Sequence, residues 1–283
     1  MIKMRDKWAV EINITNECQH GCINCTKFVR HSLDKHKGRM TLEQIENAII
    51  SVIEFPNKIG LTGGDPLNHP EFEEICSLIK KYIPKSKVMI FTSHKKKLNK
   101  YKKLIDETFG EVYLNFHTKT QQLICSHQPI MLAVGDVVKD ELLRNILIEN
   151  CWCNKMWSPI VGSNGAFFCD CALGIDNILE LGGGWKVTKN WWDRDSYKDQ
   201  MDKYCKYCGM PVPFKPQKQI EKKEIISRNL YELLTSLNLR NLDRMEIFDG
   251  VLTEQDIIRN MKNWTPWRNR PDKVAEGPAY TNK

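Results

Sequence analysis

The chain has 283 residues, 41% of them hydrophobic, and a formal net charge of +7. That length allows one large domain, or one domain with a small companion, and no apolar run approaches the ~18 residues a membrane span needs. Eleven cysteines in a chain that opens Met-Ile-Lys-Met-Arg-Asp-Lys, without an apolar signal segment, speak against secretion and a disulfide framework. They point instead to reduced, cytoplasmic thiols that bind metal.

The first predicted element is the apolar, β-branched run Trp8–Thr15, a buried strand. Directly after it, Cys18, Cys22 and Cys25 stand at C-x3-C-x2-C. Soft thiolates on one loop select an iron–sulfur cluster or zinc. A structural zinc site wants a fourth ligand, for which His20 is the local candidate. A four-iron cubane with three local thiolates keeps one iron open to a small molecule.

Thr41 and Gln44 then form a capping box, and Leu42, Ile45, Ala48, Ile49, Val52 and Ile53 repeat at helical spacing. Lys58–Thr62 reads as a second strand, running into Gly63-Gly64-Asp65-Pro66. A helix opened by Pro70 carries Phe72, Ile75, Cys76, Ile79 and Tyr82 on one face, so Cys76 is packing rather than a ligand. Lys87–Thr92 is a third strand, and a lysine-rich helix follows to about Phe109. Its Lys95, Lys96, Lys97, Lys100, Lys102 and Lys103 account for six of the seven net charges. Such a run reads as a solvated helix face, with nucleic-acid contact as the alternative. Glu111–Phe116 and Pro129–Val134 are expected as a fourth and fifth strand, and a helix from about Val137 to Ile148 closes the series. Strands alternating with helices imply a parallel sheet. The segment is too short for a closed eight-stranded barrel, which needs about 250 residues. The expected fold class is therefore α/β, an open partial βα barrel of five to six strands.

The C-x3-C-x2-C loop after the first strand and Gly-Gly-Asp-Pro after the second, in this order and spacing, resemble the radical S-adenosylmethionine (radical SAM) enzymes. The resemblance covers roughly residues 8–150. It implies a [4Fe-4S] cluster on Cys18, Cys22 and Cys25 whose open iron takes S-adenosyl-L-methionine (SAM), and a one-electron donor such as flavodoxin or ferredoxin. It also implies that Gly63, Gly64, Asp65 and Pro66 line SAM, with Asp65 against its ammonium. The family often has an aromatic residue before the last cysteine, where this chain has Asn24. In βα folds the site lies at the carboxyl ends of the strands. Polar residues there are further candidates: Thr92, Ser93 and His94, then Asn115 and His117, then Gly135 and Asp136. Asn115 and Ser93 are expected at SAM, and His117 and Asp136 at the substrate as catalytic residues.

After Asn150 the composition changes. Six cysteines follow: Cys151, Cys153, Cys169, Cys171, Cys205 and Cys208. Two short apolar runs around Ser163-Asn164-Gly165 form a hairpin signature that brings the two Cys-x-Cys pairs together. Cys205 and Cys208 make a C-x2-C knuckle. This order is similar to the auxiliary-cluster modules of radical SAM enzymes, SPASM and the shorter twitch, and implies one further [4Fe-4S] cluster; a zinc ribbon is the alternative. Beyond Pro211, Pro213 and Pro216, a long amphipathic helix is expected to about Leu239, then a shorter one capped by Thr253. The end mixes Trp264, Trp267, Arg268 and Arg270, a mixture that stacks on bases or docks on its own domain. The expected division is 1–150 for the core, 151–214 for the auxiliary module and 215–283 for a helical extension.

The function expected from the resemblance is reductive cleavage of SAM to a 5′-deoxyadenosyl radical that takes hydrogen from an unreactive carbon. Peptide maturation is the leading substrate class, with a separate leader-binding partner because the chain begins almost at its first strand. The alternatives are modification of a nucleotide or nucleic acid, and a non-enzymatic zinc-binding interaction or nucleic-acid-binding protein. No membrane partner is expected.

Overall fold

The structure, a computed structural model, describes residues 2–31, 38–114, 126–262 and 280–281. Its centre is one sheet. Strands β1 (Ala9–Asn13), β2 (Lys58–Thr62), β3 (Val88–Thr92) and β4 (Glu111–Leu114) pair in parallel, each joined to the next through helices. The helices are α1 (Leu42–Val52), α2 (Phe72–Tyr82), and the pair α3 (Lys95–Lys100) and α4 (Lys102–Thr108). Thr41 caps α1 with the expected box: its side chain accepts from Gln44 N, and the Gln44 side chain accepts from Thr41 N.

The pleat divides β1 into two sets. Val10 and Ile12 belong to the main core with Ile45, Ile49, Phe72 and Ile75 from the helices. Glu11 and Asn13 alternate with them and are also buried, so the sheet is covered on both faces. Register sets Asn13 beside Thr62 and Glu11 beside Gly60. The two motif loops therefore leave the sheet side by side, at the carboxyl ends of adjacent strands.

Several expected elements take another form. Residues 129–133 are buried turn rather than a fifth strand, followed by a short helix, α5 (Val134–Val137). Their backbone hydrogen bonds go to the cysteine knuckle: Gly209 N to Ile130 O at 2.7 Å and Val134 N to Cys208 O at 3.1 Å. A two-residue strand, β5 (Ser126–His127), precedes them. Helix α6 (Glu141–Glu149) starts at its Asp140 cap, not at Val137.

Past α7 (Trp152–Met156), the expected hairpin forms from β6 (Ile160–Gly162) and β7 (Gly165–Phe167). It joins the main sheet, with β6 parallel to β1. Two helices that the sequence reading lacks follow: α8 (Asp170–Leu179) and α9 (Lys198–Tyr204). Ile225 and Ile226, expected in a helix, lie in a strand. A short β8 (Gln217–Lys218) pairs with β5, and β9 (Glu224–Ser227) leads into α10 (Arg228–Ser236) and pairs in parallel with β10 (Met245–Phe248). Thr253 caps α11 (Glu254–Met261) as expected. A final β11 (Tyr280–Thr281) lies antiparallel to β4, giving the sheet order β11-β4-β3-β2-β1-β6-β7. The fold is mixed α/β around a mostly parallel sheet, as expected. Among the described residues no helix is long and apolar enough to cross a membrane.

Candidate active site

Cys18, Cys22 and Cys25 lie on the loop that leaves β1, and all cysteines among the described residues are free thiols. Burial pushes the Cys18 thiol up to about 12, and Cys22 and Cys25 also upward. Ionising them here calls for a cationic partner, which a metal centre supplies. The donor set thus fits a cluster.

The Gly63-Gly64-Asp65 turn braces this loop. Gly64 N donates to Thr15 O at 2.6 Å and Asp65 N to Glu17 O at 2.7 Å. A Cβ on Gly63 would stand 2.7 Å from Thr15 O, and one on Gly64 2.5 Å from Glu17 O. Only glycine allows this approach of backbone to backbone.

Asp65 is fully buried. Its carboxylate accepts from Thr92 Oγ1 at 2.9 Å, Ser93 N at 2.8 Å, Ser93 Oγ at 2.9 Å, Leu67 N at 3.2 Å and Gln19 Nε2 at 3.3 Å. These five protein donors tie the end of β2 to the end of β3. His94 caps α3, accepting from Lys97 N. Lys97 itself donates to Leu67 O and Asn68 Oδ1, so the lysine run is not wholly solvated. Asn115 and His117 lie outside the described residues. Asp136 lies in α5, where its carboxylate accepts from Ser227 Oγ, Asn229 Nδ2 and Leu230 N. Through Leu230 N it caps the first turn of α10. Gly135 is packed against Lys206 O.

The sequence reading missed the groups beneath the loop. Lys27, two residues after Cys25, pairs with Asp170 and stands 3.7 Å from Glu11 Oε2, and all three are buried. Burial pushes the Glu11 carboxyl up to about 7, against the pull of Lys27. Burial also works against the Lys27 ammonium, but Asp170 and Glu11 more than offset it and its pKa rises. On the other side, Asn24 adopts a left-handed φ of 52°. Its N–H donates to Glu224 Oε1 at 2.5 Å and its Nδ2 to Gln217 Oε1 at 3.1 Å, and its Oδ1 accepts from Ile130 N at 3.3 Å. Burial alone would raise Glu224; His31, the Asn24 N–H and Arg30 hold it below the usual carboxylate range. A carboxylate inside the apolar run of β1, and Asn24 where the family is often aromatic, were the available signals.

The six later cysteines line one cavity with Phe168, Tyr204 and Met210. The Cys153, Cys169 and Cys171 Sγ atoms lie within 4.8 Å of one another, all buried. Cys169 occupies the N-cap position of α8 and Cys171 sits in its first turn. Hydrogen bonds from Cys153 and Cys171 hold the Cys169 thiol well below its ordinary value; bonds with Cys151 and then Cys169 raise Cys153, and bonds with Cys153, Cys169 and Cys208 raise Cys171. Such a converging set of sulfurs fits a metal cluster better than separate packing thiols. Helix α8 also abuts the first loop, since a Cβ on Gly174 would stand 2.2 Å from Thr26 O.

The family model described as Radical SAM superfamily matches residues 12–131, a stretch that holds both the three-cysteine loop and the Gly63–Pro66 turn; that family implies a [4Fe-4S] cluster and SAM as cofactors. No curated protein matches the chain. Among solved structures, the chain is similar to BtrN in complex with AdoMet and 2-DOIA at 15% identity and a TM-score of 0.43, over 71% of this chain and 88% of that one. It is also similar to selenomethionine BtrN in an open conformation at 12% identity and a TM-score of 0.41, over 76% of this chain and 97% of that one.

Proposed function

We propose that Cys18, Cys22 and Cys25 hold the SAM-binding [4Fe-4S] cluster, and that the enzyme removes a hydrogen atom from an unreactive carbon of a peptide substrate. When bound, the cluster and SAM supply one-electron cleavage of the sulfonium to methionine and a 5′-deoxyadenosyl radical. The chain's part is placement. The Gly63–Pro66 backbone and Ser93, with Asn115, are assigned to SAM. Asp65 serves them by fixing the ends of β2 and β3, and His117 is assigned to the substrate. The observation that carries the reading is the three-cysteine loop braced on the Gly63–Asp65 turn.

The later cysteines are assigned to an auxiliary [4Fe-4S] cluster that takes an electron from an oxidising substrate radical. The peptide as substrate class rests on the likeness of that cysteine order to SPASM and twitch modules. An electron donor of the flavodoxin or ferredoxin kind, a cytoplasmic location and the division into 1–150, 151–214 and 215–283 belong to the same proposal. The surface lysines Lys85, Lys100, Lys102 and Lys103, which line one shallow depression together with Asn99, Asp106 and Glu107, are what supports the second reading, a nucleotide or nucleic-acid substrate. The Trp264–Lys273 tail lies outside the described residues.

Replacing Cys18, Cys22 and Cys25 together by alanine tests the assignment. Reductive cleavage of SAM by anaerobically reconstituted protein should vanish, while iron held by the later cysteines remains. Undiminished cleavage in that variant would sink it.

A further inference from the structure

Lys7, just ahead of β1, is 1% exposed and takes no part in the SAM site. Its Nζ reaches across to the six-cysteine cavity, donating to Phe168 O at 3.2 Å and Cys153 O at 3.4 Å. It also stands 5.2 Å from the Tyr197 ring centroid and 5.9 Å from that of Phe168. Those two rings stack at 5.2 Å with an interplanar angle of 11°, and the Tyr197 hydroxyl is anchored on Ile2 O and Asn154 O. Two carbonyl oxygens and two ring faces turned on one nitrogen form a cradle for a cation. The two carbonyls belong to Cys153 and to the residue before Cys169, so the cradle is built on the cysteine-bearing backbone itself.

A cluster held by four thiolates carries net negative charge, and each added electron increases it. In an apolar cavity that charge is costly unless a cation lies near. Burial is the larger effect and lowers the pKa of the ammonium, while Cys169, Cys153, Cys151 and Cys205 work the other way. Within the described residues Lys7 is the buried cation whose polar contacts lie on this cavity's wall; Lys27 faces Asp170 and Glu11 instead.

We propose that Lys7 is the built-in counter-cation of the six-cysteine centre and raises its reduction potential, so that the centre can accept an electron. The inference rests on the auxiliary-cluster reading above. Lys7 acts through space, as a positioning and tuning residue rather than a catalytic one. Removing its charge should disfavour the reduced state, since a unit charge a few ångströms away interacts strongly in a medium of low polarity.

The test uses the full chain, anaerobically reconstituted, on the Cys18→Ala/Cys22→Ala/Cys25→Ala background, so that only the later centre contributes a paramagnetic signal. Iron, sulfide and zinc are measured first. Redox titration followed by electron paramagnetic resonance then compares Lys7, Lys7→Met and Lys7→Arg. In Lys7→Met the reduced-to-oxidised ratio at a fixed potential should fall about tenfold or more, about 59 mV per tenfold for a one-electron couple. Lys7→Arg should stay close to the parent. An unchanged ratio in Lys7→Met with full iron would overturn the proposal. Should Lys7→Met lose its iron, retention of iron by Lys7→Arg supports the charge role, and loss in both variants overturns it. Zinc without iron in the parent protein would remove the cluster reading itself, before any Lys7 substitution is made, and the redox role with it.

Discussion

Glu11 is the residue whose environment departs furthest from what its neighbours in sequence suggest. It sits in the middle of β1, between Val10 and Ile12, and faces Lys27 and Asp170. Its carboxyl is pushed up to about 7 from an ordinary value of 4.5. A carboxyl raised in the folded state holds its proton longer there than in the unfolded chain. Folding stability therefore falls as pH rises from about 4.5 to about 7 through this group, and is favoured below that window. Glu11→Gln keeps the shape without the titration. Denaturation midpoints of the metal-free protein, taken at pH 5 and pH 8, should show a smaller loss with rising pH in the variant than in the wild type. Equal losses would mean that Glu11 ionises normally. The sequence carried half of this information, since an acid inside a β-branched run is either misfit or functional. Its partners were hidden, because Asp170 lies far along the chain and joins the group only when the hairpin packs beside β1.

At the scale of elements, the ends of strands matter more than their middles. The cysteine loop and the Gly-Gly-Asp-Pro turn were legible because their chemistry is local, each needing a fixed spacing and a backbone that approaches closely. The capping boxes at Thr41 and Thr253 were legible for the same reason. Pro129–Val134 was misread because an apolar run looks alike whether its N–H and C=O groups meet a strand or the Cys205–Gly209 knuckle. Ile225 and Ile226 shared the helical spacing of Leu230 and Leu234, so the strand before α10 was absorbed into the helix. Asp65 shows what such ends do, since it links β2, β3 and Gln19 of the cysteine loop. Asp65→Ala leaves Thr92, Ser93 and Leu67 donors buried or half-buried without this acceptor, at about 1–3 kcal/mol for each fully buried one. The metal-free variant should unfold at lower denaturant by several kcal/mol, with no SAM present. A variant of unchanged stability that binds SAM weakly would show that the side chain contacts SAM directly.

For the whole molecule, the two cysteine groups belong to one body. Helix α8 starts at Cys169 and packs on Thr26, the hairpin before it extends the main sheet, and Ile130 joins Asn24 to Gly209 through its backbone. Binding metal to the later group should stabilise the folded chain by linkage, since the unfolded chain lacks the assembled site. Cys205→Ser/Cys208→Ser should lower iron by roughly four atoms per chain if the centre is a cubane. It should also lower the midpoint of thermal unfolding in the loaded protein, while SAM cleavage largely survives. Full iron in that variant would mean that the knuckle holds no cluster.

The bracing of Asn24 has a consequence for how the protein is made. Synthesis delivers Cys18, Cys22 and Cys25 early, but the groups that fix the loop between them, Ile130, Gln217 and Glu224, arrive in that order and the last two arrive late. The left-handed turn at Asn24 lacks its full set of partners until residue 224 has left the ribosome. The bracing of this loop is thus long-range, reaching from residue 24 to residue 224.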